Sequence, residues 1–342
     1  LAPHLITRYV SVLHIFLENS VMSEALCIPL FTFFLYFLLR MLFENKARDA
    51  AFALAFAWLL SMTRGQMMTT ILLWAFLLVL RLIVNKKYRS LFIPIAAFVL
   101  AFLLRDLTVH VYNYAVTGYF MGNTYGQVNT LTNVMYAADE EDRAVFEEGS
   151  LEQAFFDQFY EEAEERGLNY KFGGESFAQR AAYLEDNHDI LKFQVLEAGL
   201  SAYYFSLGEV DYYEQSSMSD EMAGKMIQSL LPACFGQWLY DYMLLCRNGF
   251  VRSIAVVHPL INSAAFALYV LAAALALWNA IKLKRYDVSV VMGVALLFIT
   301  ANVCATSITI MCLSRYMIYG FSLFYIALYL LVREMWQKKV RR

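Results

Sequence analysis

Residues 66–89 read QMMTTILLWAFLLVLRLIVNKKYR, an apolar run that stops in a cluster of basic residues. A helix of about 20 apolar residues matches the hydrocarbon core of a bilayer. The same alternation of an apolar run and a short polar turn recurs along the chain. The runs are 26–43, 50–63, 66–84, 90–105, 254–281, 288–311 and 316–333. The pattern predicts an all-α polytopic membrane protein with about seven transmembrane helices.

The distribution of charge predicts which side of the membrane each loop faces. Three short turns and the C-terminal tail hold 15 of the 27 Lys and Arg residues. If every run crosses the membrane, these four segments share one face, and the positive-inside rule makes that face cytoplasmic. Residues 106–253 then lie outside, and they hold 24 of the 30 acidic residues but only 8 basic ones. We therefore expect an extracytoplasmic insert at 106–253 and a cytoplasmic C-terminus.

The composition excludes some classes of protein and favours one compartment. Apolar residues make up 60% of the chain and charged residues 17%, with a mean hydropathy of +0.49. A soluble domain has about a quarter of its residues charged. The acidic insert argues against a nucleic-acid partner, which needs basic patches. It also contains no N-x-S/T glycosylation sequon, which is more typical of a bacterial chain, so we expect the bacterial plasma membrane.

The sequence divides into three predicted parts. Residues 1–105 carry the N-terminal membrane helices, 106–253 form the insert, and 254–342 carry the last helices and the basic tail. Residues 1–20 place apolar side chains at helical spacing, which predicts a partial or interfacial helix. Because the chain starts at Leu1, we expect further membrane helices upstream of it.

The insert is predicted to be mostly helical. Ser150 followed by Gln153 is a capping-box pattern and starts a helix over 150–166. The residues expected on its apolar face are Leu151, Ala154, Phe155, Phe159 and Ala163. Further helices are predicted over 176–187 and 188–207 and from about 219 to 245, with Pro232 as a break or kink in the last. Cys234 and Cys246 could pair, although we favour free thiols.

Ionisable residues gather where the runs are expected to meet the outer face. Arg64 and Arg315 both lie at tight corners between two runs, and an Arg fork there matches the oxygens of a phosphate. Arg105 and His258 lie nearer the interface, where snorkelling explains an Arg and a solvated ring explains a His, and we favour these structural roles. Glu24 opens a helix, either as a carboxylate stabilised by the helix dipole or as a general base or metal ligand.

The order of these residues resembles a known enzyme family. Ser23-Glu24 precedes an apolar run and a basic turn, and a second run then ends in Met62-Thr63-Arg64-Gly65. Near the other end, Ser314-Arg315-Tyr316 opens the stretch SRYMIYGFSLFYIALYLL over 314–331. This arrangement resembles the C-type (GT-C) integral membrane glycosyltransferases, which include protein O-mannosyltransferases and lipid A aminoarabinose transferases. The resemblance covers 20–84 and 300–333, and the insert resembles no family.

The resemblance implies that a sugar passes from a polyprenyl-phosphate donor to a cell-envelope acceptor (a glycan, lipid or protein) on the outer face. Glu24 would be the second acidic position of the family's catalytic pair, with the first acid upstream of Leu1. Arg64, Arg315 and Tyr316 would bind the donor phosphate, with Arg105 and His258 as further candidates. No cofactor is implied, apart from a divalent metal whose ligands the sequence does not identify.

Three other functions remain open from the residues. A polymerase or ligase of surface polysaccharide also pairs outer arginines with one long outer loop. A transporter would need polar or broken helices at mid-bilayer, and these runs are apolar at their centres. A non-catalytic scaffold could present the acidic insert to partners.

Overall fold

The computed structural model of the protein describes residues 9–10, 15–16, 23–44, 46–122, 124, 126–255 and 259–340. These residues are helical except for two very short strands and the connecting turns. The α-helices are α1 Ser23–Glu44, α2 Ala47–Thr63, α3 Met68–Val84, α4 Phe92–Thr117, α5 Gly126–Tyr136, α6 Leu151–Glu165, α7 Phe177–Ile190, α8 Glu197–Ser206, α9 Tyr212–Ala233, α10 Phe235–Ile254, α11 Pro259–Trp278, α12 Tyr286–Thr309, α13 Ser314–Met317 and α14 Tyr319–Val340.

Short 3-10 and π segments extend or join these helices. The 3-10 turns are Gly65–Met67, Tyr88–Ser90, Glu140–Val145 and Tyr170–Phe172. The π turns are Leu191–Leu196, between α7 and α8, and Asn279–Leu283, after α11. The π turn between α7 and α8 allows one almost continuous helical path across 177–206, where the sequence predicts two adjacent helices.

Five helical segments are long and apolar enough to cross a membrane in the part of the chain that the structure describes. They are Ala25–Glu44, Gly65–Val84, Tyr88–Thr117, Ala264–Leu283 and Tyr286–Thr309. In Tyr88–Thr117 only 11% of the most apolar window is buried, so its large apolar side chains face outward, as lipid contact requires. Of the remaining predicted runs, 50–63 lies in α2, and 316–333 begins in α13 and continues through α14. The 17 residues of α2 are few for a span, and α14 ends in a charged tail.

Two boundaries differ from the sequence-based expectation. The run predicted to end at 105 continues as α4 to Thr117, because residues 106–117 contain no Gly or Pro to stop the helix. The prediction of a partial or interfacial helix within 1–20 is wrong for the four residues of this segment that the structure describes. Tyr9–Val10 pairs antiparallel with Ile15–Phe16, and these β-branched and aromatic residues favour strands. The other residues of 1–20 lie outside the described residues.

The chain divides into two compact units. The span unit comprises Leu1–Arg105, Gly249–Ala305 and Cys312–Arg342, and the insert unit comprises Asp106–Asn248 and Thr306–Met311. In the span unit, the Phe31 ring of α1 lies 4.4 Å from the Phe298 ring of α12. The Trp74 indole of α3 donates a hydrogen bond of 2.9 Å to the carbonyl of Ala50 in α2. Aromatic contacts and side-chain bonds to main-chain carbonyls therefore hold these helices together.

The insert unit forms the helices predicted from Ser150 and Ser176, and both helices are capped by these serines. Ser150 accepts from the Gln153 N–H at the start of α6, and Ser176 forms a full capping box with Gln179 at the start of α7. The predicted apolar face of α6 is only partly right, because Ala154 is exposed and Phe156 is buried instead. The predicted break is confirmed: α9 ends one residue after Pro232. Cys234 and Cys246 are free thiols.

The contact between α6 and α8 depends on the absence of a side chain at Gly199. A Cβ atom there would lie 2.6 Å from Cε1 of the buried Phe159. We expect Gly199→Ala to destabilise the insert unit by about 1–3 kcal/mol through overpacking. Gly236→Ala is the matched control, because a Cβ in that helix meets nothing within 4 Å and should stabilise it by about 0.5–1 kcal/mol. Thermal unfolding of the detergent-solubilised chain measures both. Equal melting temperatures for the two variants would contradict the packing.

Candidate functional site

The corner between α2 and α3 positions the first predicted arginine. After Thr63 the chain leaves helical geometry at Arg64, whose backbone is extended with φ −152° and ψ 131°. The Arg64 N–H still donates to the carbonyl of Leu60 at 3.2 Å. The 3-10 turn that begins at Gly65 then reverses the chain into α3. The Arg64 side chain therefore leaves the backbone at the reversal, where it is half-buried.

The corner before α14 is fixed by two side-chain amides. The main-chain carbonyl of Tyr316 accepts a hydrogen bond of 3.1 Å from Nε2 of Gln66 and one of 3.0 Å from Nδ2 of Asn302. Gln66 belongs to the turn before α3 and Asn302 to α12. Both bonds reach a buried residue in an apolar surrounding, where an unpaired carbonyl is costly. The two amides therefore hold three segments of the span unit around Tyr316.

The two predicted arginines meet on the ring of Tyr316. Cζ of Arg64 lies 4.5 Å from the ring centroid, and Cζ of Arg315 lies 4.9 Å from it. Nη2 of Arg315 also donates to the Tyr316 hydroxyl at 3.0 Å. Guanidinium groups within about 6 Å of a ring centroid are attracted by the ring quadrupole. The structure thus brings together three residues that are predicted as one site, although Arg64 lies about 250 positions before Arg315 and Tyr316 in the sequence.

The backbone of Glu24 lies near the same corner. Sγ of Cys27, one turn later in α1, lies 2.9 Å from Oγ1 of Thr63, the last residue of α2. The start of α1 is therefore close to the end of α2. The side chain of Glu24 lies outside the described residues, so its predicted catalytic role stays a prediction.

The secondary candidates have different outcomes. Nε of Arg105 is 3.5 Å from the carbonyl of Ser61, so this arginine lies beside the α2–α3 corner, although the bond is long. His258 lies outside the described residues. Among the residues that the structure describes, no three His, Cys, Asp or Glu side chains group as metal ligands. The ligands of the predicted divalent metal therefore stay unassigned.

Sequence reasoning missed the two amides that position Tyr316. Gln66 directly follows the Met-Thr-Arg-Gly corner, and Asn302 is one of few amides in an apolar run. An isolated amide in such a run is a signal, because it needs a hydrogen-bond partner once it is buried. The sequence could have marked both residues as structural, but it could not have identified Tyr316 as their shared acceptor.

The insert unit contains a buried acid that the sequence does not reveal. Asp241 of α10 is 4% exposed, and Nε2 of Gln237 donates to its two carboxylate oxygens at 3.0 and 3.1 Å. Burial raises the pKa of Asp241 to about 7, and the hydrogen bonds from Gln237 and the charge of Arg180 oppose this rise only in part. Asp241 is thus a proton-binding group near neutral pH within the acidic insert.

A polar cavity of about 540 Å³ lies elsewhere in the insert unit. Asp220 lines it and accepts from the main-chain N–H groups of Gln127 and Val128, which start α5. Burial raises the pKa of Asp220, and these two hydrogen bonds oppose the rise. The same carboxylate thus caps a helix and faces the cavity, so its role there is first of all structural.

Comparison with known proteins returns no relative. No protein-family model, no curated protein and no solved structure matches this chain.

The pKa of Asp241 predicts a pH dependence of stability. Between about pH 4 and pH 7 the carboxyl ionises in the unfolded chain but stays protonated in the folded one, so folding loses stability as the pH rises. Asp241→Asn keeps the shape of the side chain and cannot ionise. We expect the free energy of unfolding of this variant to fall by roughly 2–4 kcal/mol less than that of the wild type as the pH rises. Melting temperatures at pH 5 and pH 8 measure the effect, with exposed Asp186→Asn as the control. Parallel pH profiles for wild type and Asp241→Asn would refute the prediction.

Proposed function

We propose that this protein is a membrane glycosyltransferase, which moves a sugar from a polyprenyl-phosphate donor to an acceptor of the cell envelope on the extracytoplasmic face. The observation that supports this most is the convergence of Arg64 and Arg315 on the ring of Tyr316. Two guanidinium groups held at one corner concentrate positive charge where helices that are apolar along most of their length end. A phosphate attached to a long apolar tail is the ligand with the matching chemistry.

The way in which Tyr316 and the two arginines are positioned at the corner favours phosphate binding. Tyr316 is fixed by its carbonyl, so its ring is a stationary platform for both guanidinium groups. Arg315 is exposed and Arg64 is half-buried. The corner can therefore receive an anion from outside without first burying a new charge. Preorganised donors of this kind stabilise the charge that builds up on a leaving phosphate.

The surrounding helices can accommodate the tail of the donor. Large apolar side chains of α2, α3 and α14 are exposed, among them Leu59, Leu72 and Ile326. Leu59 and Leu72 lie within two turns of the Arg64 corner along α2 and α3. In a bilayer these surfaces face lipid, so a polyprenyl chain can lie along them while its phosphate stays at the corner.

The proposed chemistry is a displacement at the anomeric carbon of the sugar. An acceptor oxygen forms a bond to that carbon, and the bond from the carbon to the phosphate oxygen breaks. The electron pair of the broken bond leaves with the polyprenyl phosphate, whose charge Arg64 and Arg315 stabilise. The acceptor proton passes to a carboxylate, a role for which we propose Glu24.

Loss of either arginine should weaken donor binding and transfer. We expect Arg64→Gln and Arg315→Gln each to lower sugar transfer by about 10²–10³-fold, as for removal of one preorganised donor. Lysine at either position keeps the charge but loses the planar fork, and should recover only part of the activity. The assay supplies polyprenyl-phosphate sugars and a cell-envelope extract to membranes that contain the protein.

The control for these variants is Arg89→Gln, in the exposed turn between α3 and α4. This variant should transfer sugar at the wild-type rate. Native mass spectrometry with undecaprenyl phosphate gives a second measurement that needs neither the sugar nor the acceptor. Unchanged undecaprenyl-phosphate binding in both corner variants would show that the corner does not recognise the donor. The acceptor that is extended in the transfer assay distinguishes a polymerase or ligase of surface polysaccharide from the proposed glycosyltransferase.

The ring of Tyr316 should matter more than its hydroxyl. Tyr316→Phe removes only the 3.0 Å bond from Arg315, so we expect a transfer rate within about threefold of wild type, because the net contribution of one such bond is small. Tyr316→Leu removes the platform of both guanidinium groups and should lower undecaprenyl-phosphate binding at least tenfold. Equal binding by the Phe and Leu variants would show that the ring does not organise the corner.

A further inference from the structure

A second cationic site lies at the opposite end of the α2–α3 pair. A cleft of about 420 Å³ opens between α2, α3 and α4. Its walls are apolar and come from small residues of α2, such as Ala50 and Ala51, and larger ones of α3, such as Leu78. Because α2 and α3 each have 17 residues, the basic end of the cleft, at the start of α2 and the end of α3, lies about 25 Å along the helices from the Arg64 corner. It is therefore a separate site.

The sequence explains why the cleft exists. Ala47, Ala50 and Ala51 leave no side chain beyond Cβ on one side of α2, and Ala97 does the same on α4. The Trp74 indole fills part of the space and is anchored to the Ala50 carbonyl at 2.9 Å. The large ring cannot move into the gap without losing that bond. The cleft is therefore a built feature of the packing.

The mouth of the cleft is basic. Lys46, Arg81 and Lys87 line it together with Asn85 and Ser90, and its lining contains no acidic residue. The ammonium group of Lys46 lies 2.6 Å from a carboxylate oxygen of Glu44 outside the lining, which neutralises part of its charge. Arg81 lies one turn before the end of α3, where a long side chain can extend its head towards the membrane surface.

We propose that this cleft binds one anionic phospholipid, with its phosphate against Arg81 and Lys87 and an acyl chain between α2, α3 and α4. Charge complementarity favours this occupant over a zwitterionic lipid, because the lining supplies cations and no anion. The apolar walls favour a lipid over a free phosphate. The walls on α3 and α4 belong to the candidate spans Gly65–Val84 and Tyr88–Thr117, so the mouth lies at the level where headgroups meet acyl chains.

Native mass spectrometry of the detergent-purified full chain tests this proposal with phosphatidylglycerol and phosphatidylcholine of identical acyl chains. The wild type should retain phosphatidylglycerol at least tenfold better than phosphatidylcholine. Removal of each cation should weaken that retention roughly fivefold. Lys87→Gln tests the exposed cation, which the fold does not need, and Arg81→Gln tests the half-buried one. The matched control, Arg89→Gln, removes an exposed charge of the same turn that does not line the cleft.

A variant of the wall tests the position of the acyl chain. Ala51→Leu places a larger side chain in the cleft and should lower phosphatidylglycerol retention about as much as Lys87→Gln does. Undecaprenyl-phosphate binding at the Arg64 corner should stay unchanged in this variant. Equal retention of the two lipids by the wild type would overturn the proposal. So would an equal loss in Arg89→Gln and Lys87→Gln, or glycerol 3-phosphate displacing phosphatidylglycerol at similar concentrations.

Discussion

The hydrogen bonds from Gln66 and Asn302 to the carbonyl of Tyr316 are the constraint on which the rest of the corner depends. They join residues up to 250 positions apart in the sequence. Asn302 is buried and Gln66 is half-buried, so breaking either bond leaves an amide N–H without this acceptor, at a cost that is larger for Asn302. Because Tyr316 is held by its backbone, its ring can serve two guanidinium groups without moving. The arrangement of both arginines thus follows from a contact that involves neither of them.

The sequence predicted those parts of the site that depend on local pattern and on membrane topology. Arg64 and Arg315 were expected together because both lie at corners assigned to one face, and the structure brings them to one ring. The helix starts at Ser150 and Ser176 were equally predictable, because a cap involves residues only three positions apart. Gln66 and Asn302 were not predictable as partners, because nothing local to either residue specifies the carbonyl it binds. Long-range pairing of single polar groups is the information that one sequence lacks.

The number of spans illustrates a second limit of sequence reasoning. The run 50–63 is apolar, but α2 begins at Ala47 with Asp49 in its first turn, and Asp49 is buried against Arg40 at 3.5 Å. The first turn of this helix therefore holds an ion pair within the protein and does not add to its apolar length. The apolar run at 50–63 predicts a helix, whereas its crossing depends on length and on how its charged end is solvated. The charge-sorting argument favours the crossing, because without it the basic turns would face opposite sides.

The two ends of the α2–α3 pair are both cationic, but they are constructed differently. At one end, planar guanidinium groups lie on a fixed ring, and the backbone beneath that ring is clamped by two amides. At the other end, an open cleft is lined by three cations: the exposed Lys87, the half-buried Arg81, and Lys46, which forms an ion pair with Glu44. A rigid fork discriminates by geometry, whereas flexible point charges discriminate mainly by net charge. The two proposals therefore assign a specific phosphorylated substrate to the rigid end of this helix pair and an ordinary anionic lipid to the flexible end.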